Sequence, residues 1–99
     1  MKTLENKKLT TAEGLPIQDE NKKQFTTLSL VQTVLMNSQY ENSAGILQAS
    51  KILGGLKEIK GKFELEDADY AVVKGLVSKY EPFLKLGLVF VEFYKQFEN

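Results

Sequence analysis

The chain has no cysteine, no histidine and no tryptophan, and all thirteen of its basic residues are lysines. Each absence removes a chemistry. Without cysteine there is no disulfide framework and no thiol for redox work or soft-metal ligation. Without histidine as well, Ser-His and Cys-His nucleophile pairs and most zinc sites cannot be assembled. Without arginine the planar fork that reads guanine edges or clamps a phosphate is missing from the whole chain. The thirteen lysines are balanced by thirteen carboxylates, so no net charge draws the protein to a phosphate backbone or an anionic membrane. Nucleic acid is therefore not the expected partner.

Long apolar runs are also missing. A membrane-spanning helix needs about 20 predominantly apolar residues, whereas the most apolar stretch, "FLKLGLVFVEFYKQF" from Phe83 to Phe97, holds Lys85 and Glu92 inside it. The first eight residues contain no apolar run of the signal-peptide kind. The expectation is an intracellular, cytoplasmic protein without a membrane partner. A glycine-rich phosphate loop is absent too: Gly54-Gly55 lies within a helical pattern, and no Gly-Lys-Ser/Thr follows it.

What is present is one domain's worth of chain. Ninety-nine residues with 42% hydrophobic content can bury one modest core but not two. The pattern predicts a single domain over 1–99, divided into an extended arm or hairpin over 1–25 and a helical bundle over 26–99. In the arm, the turn signals Glu13-Gly14-Leu15-Pro16 and Asp19-Glu20-Asn21-Lys22-Lys23 separate short extended pieces near Lys8 to Thr11 and Leu15 to Gln18.

A first helix is expected to open on Thr26 as cap and to bury Leu28, Leu30, Val31, Val34 and Leu35. A second runs from Ser43 to about Ile59 with Ile46, Ala49, Leu53 and Leu56 at helical spacing, stopped by a left-handed turn at Gly61. Gly54-Gly55 within it costs about 1 kcal/mol per glycine relative to alanine and calls for a close helix approach or a kink. Extended Lys62 to Leu65 leads into a third helix, ending near Tyr80, whose buried stripe is Tyr70, Val73, Leu76, Val77 and Tyr80. Pro82 restarts the chain as a fourth. The fold class is thus mainly α, a bundle of about four helices behind a short N-terminal β-hairpin or β-arm.

The acidic group Glu64, Glu66, Asp67 and Asp69 offers carboxylates for a hard cation or for acid-base work, but it lacks the glycine and glutamate register of a calcium loop. Its expected role is to sit over the positive end of the third helix. No metal, cofactor or catalytic residue is assigned. Among the tyrosines, Tyr70 and Tyr80 fall on the apolar stripe, while Tyr40 and Tyr94 remain as possible acids or stacking rings. Phe63 beside Lys60 and Lys62 is the one hint of a base-stacking surface.

The last segment poses the main choice. As one helix, Phe83, Leu86, Phe90, Phe93, Tyr94 and Phe97 share a side, opposite Lys85, Glu92 and Gln96, with leucines and valines on both flanks. Either this helix is central to the bundle, or part of it is kept for a partner. The partner-binding reading assigns Phe90, Phe93, Tyr94 and Phe97 to the shared face and places Phe83 and Leu86 inside the fold.

In layout, "KKLTTAEGLPIQDENKKQFTTLSLVQTVLM" followed by "FELEDADYAVVKGLVSKYEPFLKLGLVFVEF" resembles small accessory proteins of tailed bacteriophages and prophages. These carry a short β-arm, a Thr-capped helix and an acidic-capped helix pair. The resemblance implies a phage accessory protein and favours a protein-binding role; the leading expectation is a non-enzymatic protein that binds a host or phage protein and inhibits a host process by occupying a surface. The alternative is a virion assembly component acting as a homo-oligomer, and a third reading is a DNA-binding regulator.

Overall fold

The computed structural model describes residues 1–97. Within them the order is β1 (Lys2–Glu5), α1 (Thr27–Asn37), α2 (Ser43–Gly55), β2 (Lys62–Leu65), α3 (Asp67–Ser78), α4 (Glu81–Leu86), a 3-10 turn (Gly87–Phe90) and α5 (Val91–Lys95). The chain is mainly α, with one two-stranded antiparallel sheet. That sheet joins the first residues to the middle of the chain, pairing Lys2 with Leu65 and Leu4 with Phe63. Leu4, Phe63 and Leu65 face the core.

Between β1 and α1 the arm closes on itself. Antiparallel bridges link Thr10 to Pro16, Gln18 to Gln24 and Lys8 to Thr26. Ile17 N–H donates to Leu9 O, Phe25 N–H to Ile17 O, and Leu9 N–H to Phe25 O, which completes a ring of three. The first bridge joins the two extended pieces expected from the sequence. The two loops between them are built alike: Thr11 Oγ1 accepts from Glu13 and Leu15 N–H, and Asp19 Oδ1 from Asn21 and Lys23 N–H. Gly14 and Lys22, eight residues apart, take the positive φ that each loop needs. Leu9 and Ile17 go to the core from this ring. The eight-residue structural repeat shows in the sequence only as apolar Leu9, Ile17 and Phe25 and as an acceptor side chain at each loop start, a spacing that matches neither a helix nor a strand period.

The arm then satisfies the start of α1. A helix leaves its first N–H groups without intrahelical partners. Here Thr27 N–H donates to Lys7 O, Leu28 N–H to Asn6 Oδ1 and Ser29 N–H to Thr26 Oγ1, while Ser29 Oγ accepts from Thr26 N–H. Thr26 is the cap, as its position implied, and Leu30, Val31, Val34 and Leu35 are buried. Buried Thr27 accepts from Lys7 N–H.

Two helices differ from expectation. Asn42, not Ser43, caps α2, and the helix ends at Gly55, four residues short of Ile59. A Cβ on Gly54 or Gly55 would meet nothing within 4 Å, so no helix approaches them; the pair marks the end of α2. Its buried stripe is Ala49, Ile52 and Leu56, and Ile46 is exposed. Gly61 belongs instead to a two-residue turn with Lys60, both at positive φ, closed by reciprocal bonds between Ile59 and Lys62. α3 buries Tyr70, Val73 and Val77 and packs on α1.

The second difference decides the rest. The last segment is not one helix, because Gly87 adopts φ 55, ψ −116, a conformation nearly confined to glycine. The chain stops there, passes through a 3-10 turn and restarts as α5. Substituting Gly87→Ala is expected to lower stability by about 1–3 kcal/mol, read as a shift of the urea midpoint at unchanged slope.

Candidate functional site

Breaking at Gly87 lets the aromatic rings of the last segment meet. In a continuous helix Phe83 and Phe90, seven residues apart, would be separated by about 10 Å along the axis. Their ring centroids are 4.4 Å apart and stacked. Phe93 lies edge-on to Phe83 at 5.7 Å and to Phe97 at 5.4 Å. Tyr80 closes one side at 4.7 Å from Phe83, and Tyr70 stacks on Phe97 at 5.8 Å. Such pairs contribute about 0.5–1.5 kcal/mol each beyond the burial of their area.

The residues assigned to a partner face are therefore mostly inside. Phe93 is fully buried, Phe90 and Phe97 are buried, and only Tyr94 is half-buried. Of the two expected inside, Phe83 is buried but Leu86 is 54% exposed. The projection groups Phe83, Phe90, Phe93 and Phe97 on one side, as the structure does, but does not tell whether that side meets this chain or another, and it misplaces Leu86, which lies in α4 beside Phe83 and turns outward. What this segment turns outward is Leu84 at 50%, Leu86 at 54% and Leu88 at 76% exposed. They lie within five residues of one another, across the end of α4 and the start of the 3-10 turn.

Beside the start of α4, a cleft of about 530 Å³ separates the α1–α2 connection from the α3–α4 junction. Tyr40, Leu76, Tyr80 and Pro82 give it apolar walls, and Glu41 and Lys79 charge its rim. Tyr40 is fixed there by donating its hydroxyl to Leu35 O at 2.8 Å, at the end of α1. Burial pushes the phenols of Tyr40, Tyr70, Tyr80 and Tyr94 above the usual tyrosine range, which disfavours the phenolate that a base or nucleophile needs. The Tyr94 hydroxyl is shielded from solvent and has no hydrogen-bond partner among the described residues.

The acidic group is dispersed along its strand and helix. Among the described residues no three His, Cys, Asp or Glu side chains gather as metal ligands. Asp67 and Asp69 occupy the first turn of α3, and Asp67 pairs with the Met1 ammonium at 2.8 Å. Lys2 lies over the Tyr70 ring, 5.4 Å from its centroid, a second tie from β1 to α3. Phe63, whose neighbours suggested base stacking, is a core residue. No helix among the described residues is long and apolar enough to cross a membrane.

Two outcomes follow. Phe93→Ala should cost about 3–5 kcal/mol by urea unfolding, whereas Leu88→Ser should leave the midpoint within about 0.5 kcal/mol. The Met1–Asp67 pair is also readable by pH. Bonding and attraction to the ammonium hold the Asp67 carboxyl below its usual range, and the same pair raises the amine. The carboxylate's contribution is present at neutral pH and lost as pH falls through its lowered value. The amine's contribution is complete below the usual amine pKa and lost as pH rises through the raised one. The midpoint difference between wild type and Asp67→Asn should be level near neutrality, vanish in acid and shrink in alkali.

Against known proteins the chain matches no family model, no curated protein and no solved structure, so its own geometry carries the functional reading.

Proposed function

We propose that this is a non-enzymatic accessory protein, of the phage type its layout resembles, that works by binding another protein, host or phage, and inhibits a host process by occupying its surface. One observation carries the reading: Leu84, Leu86 and Leu88 are exposed together while the four phenylalanines of the same segment are buried. Scattered exposed leucines need no explanation, but a local concentration of large apolar side chains commonly marks an interaction surface. The neighbouring cleft adds a concave element bounded by Tyr80 and Pro82, the shape that seats an anchoring side chain.

A homo-oligomeric assembly component is the second reading, and the charge balance favours it. A formal net charge of zero removes the long-range self-repulsion that keeps copies apart. Glu81 and Lys85 on exposed positions of α4 would also face each other across a two-fold axis between antiparallel copies.

The triple variant Leu84→Ser, Leu86→Ser, Leu88→Ser distinguishes a working surface from an idle one. Its far-ultraviolet circular dichroism should match wild type, while proteins captured by wild type from phage-infected bacterial lysate should be lost. Undiminished capture by the folded variant would refute the assignment. Light scattering over a dilution series separates the two readings: a dimer abolished by the same variant selects self-assembly, and a monomer throughout selects a foreign partner.

A further inference from the structure

A second surface, on residues separate from those leucines, lies along β2. The ladder alternates: Asn6 N–H donates to Gly61 O, and the bonded pairs continue through Leu4–Phe63 and Lys2–Leu65. Backbone groups of Lys62 and Glu64 consequently point to the opposite edge. Lys62 exchanges both its bonds with Ile59 across the Lys60-Gly61 turn. After that single bridge the chain coming from α2 diverges, and Glu64 has no backbone partner on that edge among the described residues.

A groove of about 510 Å³ lies beside this partly open edge and reaches across the sheet, lined by Met1 and Thr3 from the β1 side and by Lys57, Ile59, Lys60, Lys62 and Glu64. Its apolar contribution is unusually open, with Met1 63% and Ile59 66% exposed. Its charge is one-sided: three lysines face one carboxylate, and none of the three forms an ion pair among the described residues.

We propose that this edge accepts an extended acidic peptide, which adds as a short strand beside Glu64, sets carboxylates against Lys57, Lys60 and Lys62, and rests an apolar side chain on Met1 and Ile59. Strand addition derives affinity from main-chain bonds and selectivity from alternate side chains. The positive field is local, because Glu66, Asp67 and Asp69 follow β2 directly. A polyanion or an anionic bilayer would meet those carboxylates as well, whereas a short peptide need not. Lysines on a strand edge also serve simply to prevent pairing, and the experiment separates that role from recognition.

The full-length, ¹⁵N-labelled protein is titrated to about 1 mM with a capped hexapeptide of alternating Glu and Leu, with a Lys-for-Glu version, with mixed-sequence DNA and with phosphatidylglycerol vesicles. The expected result is saturable binding of the acidic peptide, with shifts centred on 57–64. It should weaken about five- to tenfold in Lys57→Glu/Lys60→Asn, asparagine being tolerant of the positive φ at that turn. The Leu84, Leu86 and Leu88 variant should bind the peptide unchanged, so the two surfaces stand or fall separately. Absence of binding would leave the lysines as edge protection and overturn the proposal. So would equal binding of the basic peptide, shifts centred elsewhere, or preference for DNA or vesicles.

Discussion

The ring cluster around Phe83 is the constraint on which the C-terminal half depends. Stacking Phe90 on Phe83 at 4.4 Å is incompatible with an unbroken helix, so the backbone must turn, and Gly87 takes the positive φ at the break. Once it does, Phe93 and Phe97 come into the same core and connect it through Tyr70 to α3. The leucines between the rings have no room inside. Their exposure is the geometric complement of the aromatic core, and it creates the surface on which the proposed binding role rests.

The N-terminal half solves a different problem, the unpaired N–H groups at the start of α1. Asn6, Lys7 and Thr26 each accept one, so the arm and the helix are bound at the point where one becomes the other. β1 meanwhile pairs with β2, and Met1 and Lys2 reach α3 through Asp67 and Tyr70. The first five residues are thereby tied to an element more than fifty positions away. This arrangement also leaves β2 with one covered and one partly open edge, where the lysines of the Lys57 to Lys62 stretch collect.

Much of the local structure was legible because local rules govern it. Thr26 ahead of an apolar stripe marked α1, the carboxylates of Asp67 and Asp69 marked the first turn of α3, and Lys62 to Leu65 read as a short extended piece. In the last segment the reading was incomplete: Leu86 was placed inside, and Phe90, Phe93 and Phe97 were left between a core and a shared face. A helical projection has no way to register a residue that leaves the helical region. In α2 the buried stripe is Ala49, Ile52 and Leu56 rather than one containing Ile46, because every turn of that helix offers apolar residues on more than one side and only the position of α1 selects among them.

By itself, then, the sequence determined the available chemistry and the placement of most elements, since both depend on residue types and near neighbours. Histidine and cysteine are absent whatever the fold, and a capped amphipathic segment forms a helix in many contexts. Tertiary structure decided which apolar side chains are hidden and which are offered. That choice depends on the φ and ψ of Gly87, on the pairing of β1 with β2 and on the ring joining Leu9, Ile17 and Phe25. The first is a single-residue backbone state and the second a contact between residues distant in the chain, neither encoded in periodicity, and the third follows an eight-residue spacing that no helix or strand period registers.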